Sequence, residues 1–122
     1  MELIKAFEVV RLLARGIDDI VGLWEFLARV REYLDEDDEE EMKAEVLDLV
    51  RIMLESGAMF AGDMKPGEPG VEVAAWNLSP ADTIERIRKE WDELGRDPIT
   101  GEIVYFDLTE RGREILKKYG EL

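Results

Sequence analysis

Seven consecutive acidic residues, Asp35-Glu36-Asp37-Asp38-Glu39-Glu40-Glu41, constrain this chain more than any other feature. Crowded carboxylates cannot enter an apolar core, because desolvating each one costs far more than packing returns. The run must therefore lie at the surface, and it divides the sequence into residues 1–34 and 35–122. Its second half falls where a helix should begin, since the positive end of the helix dipole stabilises carboxylates. That helix is expected to run to about Ser56. It would bury Met42, Val46, Leu49, Val50, Met53 and Leu54, with Gly57 as its C-terminal cap.

Ahead of the run, Leu3, Phe7, Val10 and Ala14 recur at helical spacing, widened by Ile4 and Leu13. They predict a helix over 2–15 that Gly16 ends. Asp18 or Asp19 is then expected to cap a second helix reaching about Leu34. Its apolar face would carry Ile20, Trp24, Leu27, Val30 and Leu34, with Leu23 and Phe26 beside it. Residues 1–34 thus read as an N-terminal helical pair.

Beyond Gly57 the pattern changes. Ala58 to Ala61 reads as a short strand, Lys65-Pro66-Gly67-Glu68-Pro69-Gly70 as a flexible loop, and Val71 to Trp76 as a weakly alternating strand. Ser79-Pro80-Ala81-Asp82 combines a capping serine, a proline at the first helical position and a first-turn acid. It opens a helix with Ile84, Ile87, Trp91 and Leu94 on a narrow stripe, closed by Gly95. A turn-forming loop follows over 96–101, then a strand from Glu102 to Leu108. There Ile103, Tyr105 and Asp107 share one face, and Val104, Phe106 and Leu108 the other. Thr109 is placed to cap a last helix carrying Ile115, Leu116 and Tyr119. The fold class is mainly α with a small β-sheet, an α+β chain forming one domain over 1–122. With 46% hydrophobic residues it can close a core.

What the chain lacks narrows its chemistry. It has no cysteine and no histidine, so thiol nucleophiles, disulfides, the usual zinc ligand sets and imidazole acid–base catalysis are all excluded. Ser79 is used by capping, and neither it nor Ser56 has a histidine partner. Gly16-Ile17-Asp18 and Gly67-Glu68-Pro69-Gly70 lack the Lys-Ser or Lys-Thr that follows a phosphate loop. The acid run lacks the central glycine and spaced glutamate of a calcium loop. Among 30 acidic residues close carboxylate pairs arise by number alone. No enzyme, no cofactor and no metal are expected.

Charge narrows the partners. The net charge is −14, and residues 1–61 and 62–122 are both acidic, with 7 basic against 16 acidic and 9 against 14. Nucleic acid and anionic membrane surfaces would be repelled at long range, and basic proteins attracted. The start Met1-Glu2-Leu3-Ile4-Lys5 has no basic region leading into an apolar stretch, and no run approaches the roughly 18–20 apolar residues of a membrane span. A cytoplasmic location is the expectation, as a monomer or homodimer.

Two resemblances add to this reading. Phe106-Asp107-Leu108-Thr109-Glu110-Arg111-Gly112-Arg113-Glu114-Ile115-Leu116 looks like the end of a winged-helix domain, where a wing strand leads into a Leu-Thr-x-x-Gly helix start. Gly57-Ala58-Met59-Phe60-Ala61-Gly62 resembles the first strand of such a fold. The likeness covers about residues 40–119 and implies a winged-helix-like part with extra N-terminal helices. A DNA-reading member would carry a basic recognition helix. Thr83-Ile84-Glu85-Arg86-Ile87-Arg88-Lys89-Glu90 is mixed instead, with Asp82–Arg86 and Glu85–Lys89 spaced for intrahelical pairing. In size, charge and missing chemistry the chain also resembles the small acidic immunity proteins encoded beside bacterial toxins.

The leading expectation is a non-catalytic protein of the immunity or antitoxin type that blocks a basic, toxin-like partner by shape and charge. A winged-helix transcriptional regulator is the alternative, and a subunit or dimerisation module the second. The candidate partner-binding residues are Asp35, Asp37, Asp38 and Glu40 of the acid run, Trp76 at a loop edge, and Arg96 and Tyr105 of the 96–106 segment. Trp24 and Trp91 lie on apolar stripes and are assigned to the core.

Overall fold

A computed structural model describes residues 3–34, 38–67 and 70–118. Asp35, Asp37 and Tyr119 lie outside the described residues. The elements are α1 (Leu3–Asp18), β1 (Val21–Gly22), α2 (Leu23–Tyr33), α3 (Glu39–Glu55), β2 (Met59–Pro66), β3 (Val71–Ala75), α4 (Pro80–Leu94), β4 (Tyr105–Leu108) and α5 (Glu110–Lys118). The mainly-α α+β class read from the sequence is what the chain adopts.

The strands form one antiparallel sheet in the order β1-β4-β2-β3. Its inner face carries Val21, Met59, Ala61, Phe106 and Leu108 into the main core. The helices supply Leu12, Leu13, Phe26, Val30, Val46, Val50, Met53, Ile87, Trp91 and Leu116 to the same cluster. Phe26 and Phe106 meet at 4.8 Å between ring centroids, inclined by 49°. On the outer face a small second cluster joins Ile20, Val73 and Tyr105, with Phe60 packed against it.

Several boundaries move from where local signals place them. Gly16 does not end α1. The helix runs through it to Asp18, and a Cβ there would meet Leu108 Cγ at 3.1 Å and Met59 Cε at 3.2 Å. The glycine serves close approach of α1 to the sheet rather than a left-handed cap. The second helix starts at Leu23, not after Asp18 or Asp19. Val21 and Gly22 instead pair with Phe106 and Tyr105 as a two-residue strand. Glu25 accepts from the Gly22 N–H at 2.9 Å, fixing that start.

β2 is longer than its apolar beginning suggests, because Lys65 and Pro66 stay in register with Glu72 and Val71. Pro66 costs no ladder bond there: its nitrogen points away from β3, past the end of β4. β4 is shorter, starting at Tyr105 rather than Glu102, because residues 101–103 turn. Gly101 has φ +90° and Ile103 φ +69°.

The capping signals are realised. Asp38 accepts from the N–H groups of Glu40 (2.9 Å) and Glu41 (3.4 Å) at the head of α3. Gly57, at φ +73°, closes the other end: its N–H donates to Leu54 and that of Ala58 to Met53. Ser79 accepts from Asp82 N at 3.1 Å. Thr109 accepts from Gly112 N at 3.0 Å while donating to the Gly57 carbonyl. A Cβ at Gly112 would lie 2.2 Å from the Ala58 carbonyl oxygen. The Leu-Thr-x-x-Gly start therefore stitches α5 onto the turn between α3 and β2.

Candidate protein-binding face

Helix α4 ends at Gly95, whose φ of +72° lets the chain reverse. Arg96 then reaches forward across the loop and grips Glu102 with its two terminal guanidinium nitrogens, each at 2.7 Å. The same carboxylate accepts from Ile99 N at 2.8 Å, and Glu102 N donates to Ile99 O at 3.2 Å. The guanidinium first, and the Ile99 amide second, draw the Glu102 carboxyl down to about 2. Asp97 pairs with Arg31 of α2, tying the loop to that helix.

The clamp holds a costly conformation. Val104 N donates to Glu102 O at 2.9 Å, closing a three-residue turn around Ile103. A β-branched residue at positive φ is unfavourable, and such γ-turns are rare. Backbone strain of this kind persists only where surrounding contacts over-determine it. Here the Arg96–Glu102 fork, the Asp97–Arg31 pair and the burial of Val104 do so.

What the loop displays is apolar. Ile99 is 61% exposed at its tip, and Trp24 of α2 is 36% exposed beside it. The two line one shallow groove with Leu27, Arg31 and Pro98. Trp24 was expected in the core by its helical phase, yet it stands outside. Gly22 explains its pose: a Cβ there would lie 2.8 Å from Trp24 Cδ1 and 3.3 Å from Tyr105 Cε1. The indole thus folds back over a position without a side chain, with Tyr105 behind it.

Charged grooves flank this centre. On one side Trp24 also borders Arg11, Arg15, Glu25 and Arg29. These arginines are matched: Arg15 to Glu25 at 3.0 Å, Arg11 to Glu8 at 3.4 Å, Arg29 to Glu32. On the other side Arg96 and Asp97 border Glu39, Glu40, Lys43 and Asp92. Lys43 bonds Asp92 at 2.5 Å and lies 5.4 Å from the Trp91 ring. Glu39, Glu40 and Glu41 remain exposed around the head of α3. No protein family, curated protein or solved structure matches this chain. The face has to be read from its own chemistry.

Of the residues singled out in the sequence, Glu40 and Arg96 line one groove, and Tyr105 backs the neighbouring patch. Asp38 lies at the same helix head, where its carboxylate serves as the cap. Asp35 and Asp37 are outside the described residues. Trp76 is elsewhere: it packs against the core, with the Arg86 guanidinium 3.7 Å from its ring centroid. Its indole N–H is buried without a partner among the described residues. Trp91 is core, 3% exposed, as read.

Sequence reasoning missed Trp24, Pro98 and Ile99. A usable signal existed for one: an isoleucine within a turn-forming Asp-Pro-Ile-Thr-Gly stretch has no strand or helix in which to be buried. On α4, Arg86 bonds Glu90 at 2.8 Å and Arg88 lies 3.7 Å from Glu85. The intrahelical pairing is real, but its partners differ from the Asp82–Arg86 and Glu85–Lys89 pairs that spacing suggests. Among the described residues no cluster of acids is arranged to hold a metal, and no helix is long and apolar enough to cross a membrane.

Proposed function

We propose that this chain is a non-catalytic protein-binding domain that neutralises a basic partner in the manner of an immunity protein or antitoxin. The carrying observation is the exposed pair formed by Trp24 of α2 and Ile99, the latter on a loop whose strained backbone is fixed by the Arg96–Glu102 fork. A large aromatic on a pre-ordered surface is the kind of anchor that dominates binding energy, because little entropy is lost on docking. The acid head of α3 supports the charge of the partner. It continues the same face through Arg96 and Asp97, and exposed carboxylates steer a basic surface toward the apolar centre.

The winged-helix likeness enters this proposal as a scaffold without DNA reading, since Arg86 and Arg88 are matched by Glu90 and Glu85. Affinity capture from the native cell, run in parallel with wild type and Trp24→Ala, tests the proposal. A basic protein retained by wild type and lost from the variant is expected. Its toxicity when expressed alone should be relieved by co-expression of this chain. Equal capture by both proteins, or a captured partner that is acidic, would refute the assignment of this face.

A further inference from the structure

The remaining exposed apolar side chains include Met64 (48%) and Val71 (50%), which belong to the β2–β3 hairpin. β3 pairs with β2 on one side and is an edge of the sheet. Which backbone groups face outward follows from the ladder. Gly67 N donates to Gly70 O at 2.8 Å and Trp76 N to Ala61 O at 3.0 Å. In the register between them, Glu72 and Ala74 occupy the hydrogen-bonded positions toward β2. Val71, Val73 and Ala75 therefore turn their N–H and C=O groups to the open side. Among the described residues, what reaches them is a long contact from Asn77 Nδ2 to Ala75 O at 3.4 Å.

Natural edge strands are blunted by lysine, proline, bulges or inward charges. Val71-Glu72-Val73-Ala74-Ala75 has no lysine, no proline and no bulge. Its one charge, Glu72, is matched by Lys65 across the ladder at 3.1 Å. From Val71 to Ala81 no other charged residue occurs, in a chain of net charge −14.

We propose that β3 pairs antiparallel with β3 of a second copy of this chain, about a twofold axis through Val73. This register uses every outward group. Val71 lies opposite Ala75 of the copy, Val73 opposite Val73, and Ala75 opposite Val71, each pair exchanging both of its bonds. Glu72 falls opposite Ala74 of the copy, so like charges never face one another across the new ladder. The outward-bonding residues also carry their side chains on the outer sheet face, where Met64 is the cross-strand neighbour of Val73. Val73 itself is 8% exposed, packed with Ile20 and Tyr105, so pairing brings the exposed Val71, Ala75 and Met64 of the two copies together edge to edge. The pairing is independent of the Trp24 face, and it gives the domain two copies of that face.

Sedimentation velocity on the full chain over a concentration series, at low and high salt, tests this. Each copy is strongly negative, so a dimer should tighten as salt rises, whereas steered binding of a basic partner should weaken. Val71→Pro removes an outward N–H and leaves the β2–β3 bonds intact, and it should weaken the dimer at least about tenfold. Val71→Lys, at the same exposed site, serves if the proline variant does not fold. The native chain has no cysteine. A mixture of Val71→Cys and Ala75→Cys chains should therefore oxidise chiefly to the 71–75 cross-link. Monomers at every concentration and salt would overturn the proposal. So would a dimer that both Val71 variants leave intact, cross-links mainly between like positions, or an edge that takes up a basic extended peptide but not a second copy.

Discussion

The Trp24–Ile99 patch and the β2–β3 edge both expose apolar side chains, yet they are exposed for different reasons. At the patch side chains hold the backbone in place: Arg96 and Glu102 across the loop, Asp97 and Arg31 to α2, Glu25 under the start of α2. What remains free is side chain, an indole and an isoleucine. At the edge the free groups are backbone, and the side chains are small, few and barely charged. A fixed patch recognises a partner by shape, while an open edge offers hydrogen bonds that any matching strand can take. The first suits a specific foreign protein, the second a copy of the same chain.

The largest effect that would separate the two regions is on partner affinity. Trp24→Ala should cost at least about 2 kcal/mol of binding, roughly thirtyfold in Kd, as interface tryptophans commonly do. The same change should move the urea midpoint by less than it moves the affinity, because only part of the side chain is packed against the fold. A melt shifted as much as the affinity would mean that Trp24 is structural.

Charge should act on rate. Replacing Glu39, Glu40 and Glu41 by Gln should slow association with the partner about tenfold at low salt and change dissociation much less. The difference should fade as the screening length shortens to ~8 Å at physiological salt. Asp38 behaves differently because it caps α3: Asp38→Ala should cost about 0.5–2 kcal/mol of stability, visible in a urea melt, whatever it does to binding. An association rate untouched by the three glutamines would reduce the acid head to a solvated helix start.

The loop clamp has a pH signature. Glu102 titrates below its unfolded value, at about 2, so its contribution to stability is present above the ordinary carboxylate range and is lost as pH falls through about 2. Glu102→Gln should remove the part of the acid-unfolding slope that lies between those limits. It should also raise hydrogen exchange at Ile99 and Val104. An unchanged acid limb would mean that the fork does not hold the loop in solution.

Much of the fold was legible because it is encoded locally. The caps at Ser79 and Thr109, the closing glycines 57 and 95, and the stripe through Met42, Val46, Val50 and Met53 all sit where short-range rules put them, whereas the cap at Asp38 was not singled out within the acid run. The errors fall where contacts distant in sequence decide. Gly16 looks like a helix stop until Leu108 and Met59 are seen against it, and Val21-Gly22 becomes a strand through β4, which lies far along the chain. Trp24 has the phase of a core residue, yet it turns outward over the bare position at Gly22. The candidate face was half legible. Arg96 and the acid head stand out by composition, but the Asp97–Arg31 bond and the exposure of Ile99 exist only after folding.

A single comparative titration addresses the central claim, that the pinned loop with Trp24 is the surface that meets a partner. Calorimetry with the captured protein would use wild type, Trp24→Ala and Val71→Pro under one buffer. Loss of at least about thirtyfold in affinity for Trp24→Ala, with Val71→Pro binding as tightly as wild type per site, is the predicted result. Affinity lost in Val71→Pro and kept in Trp24→Ala would place the interface on the sheet edge and contradict the claim.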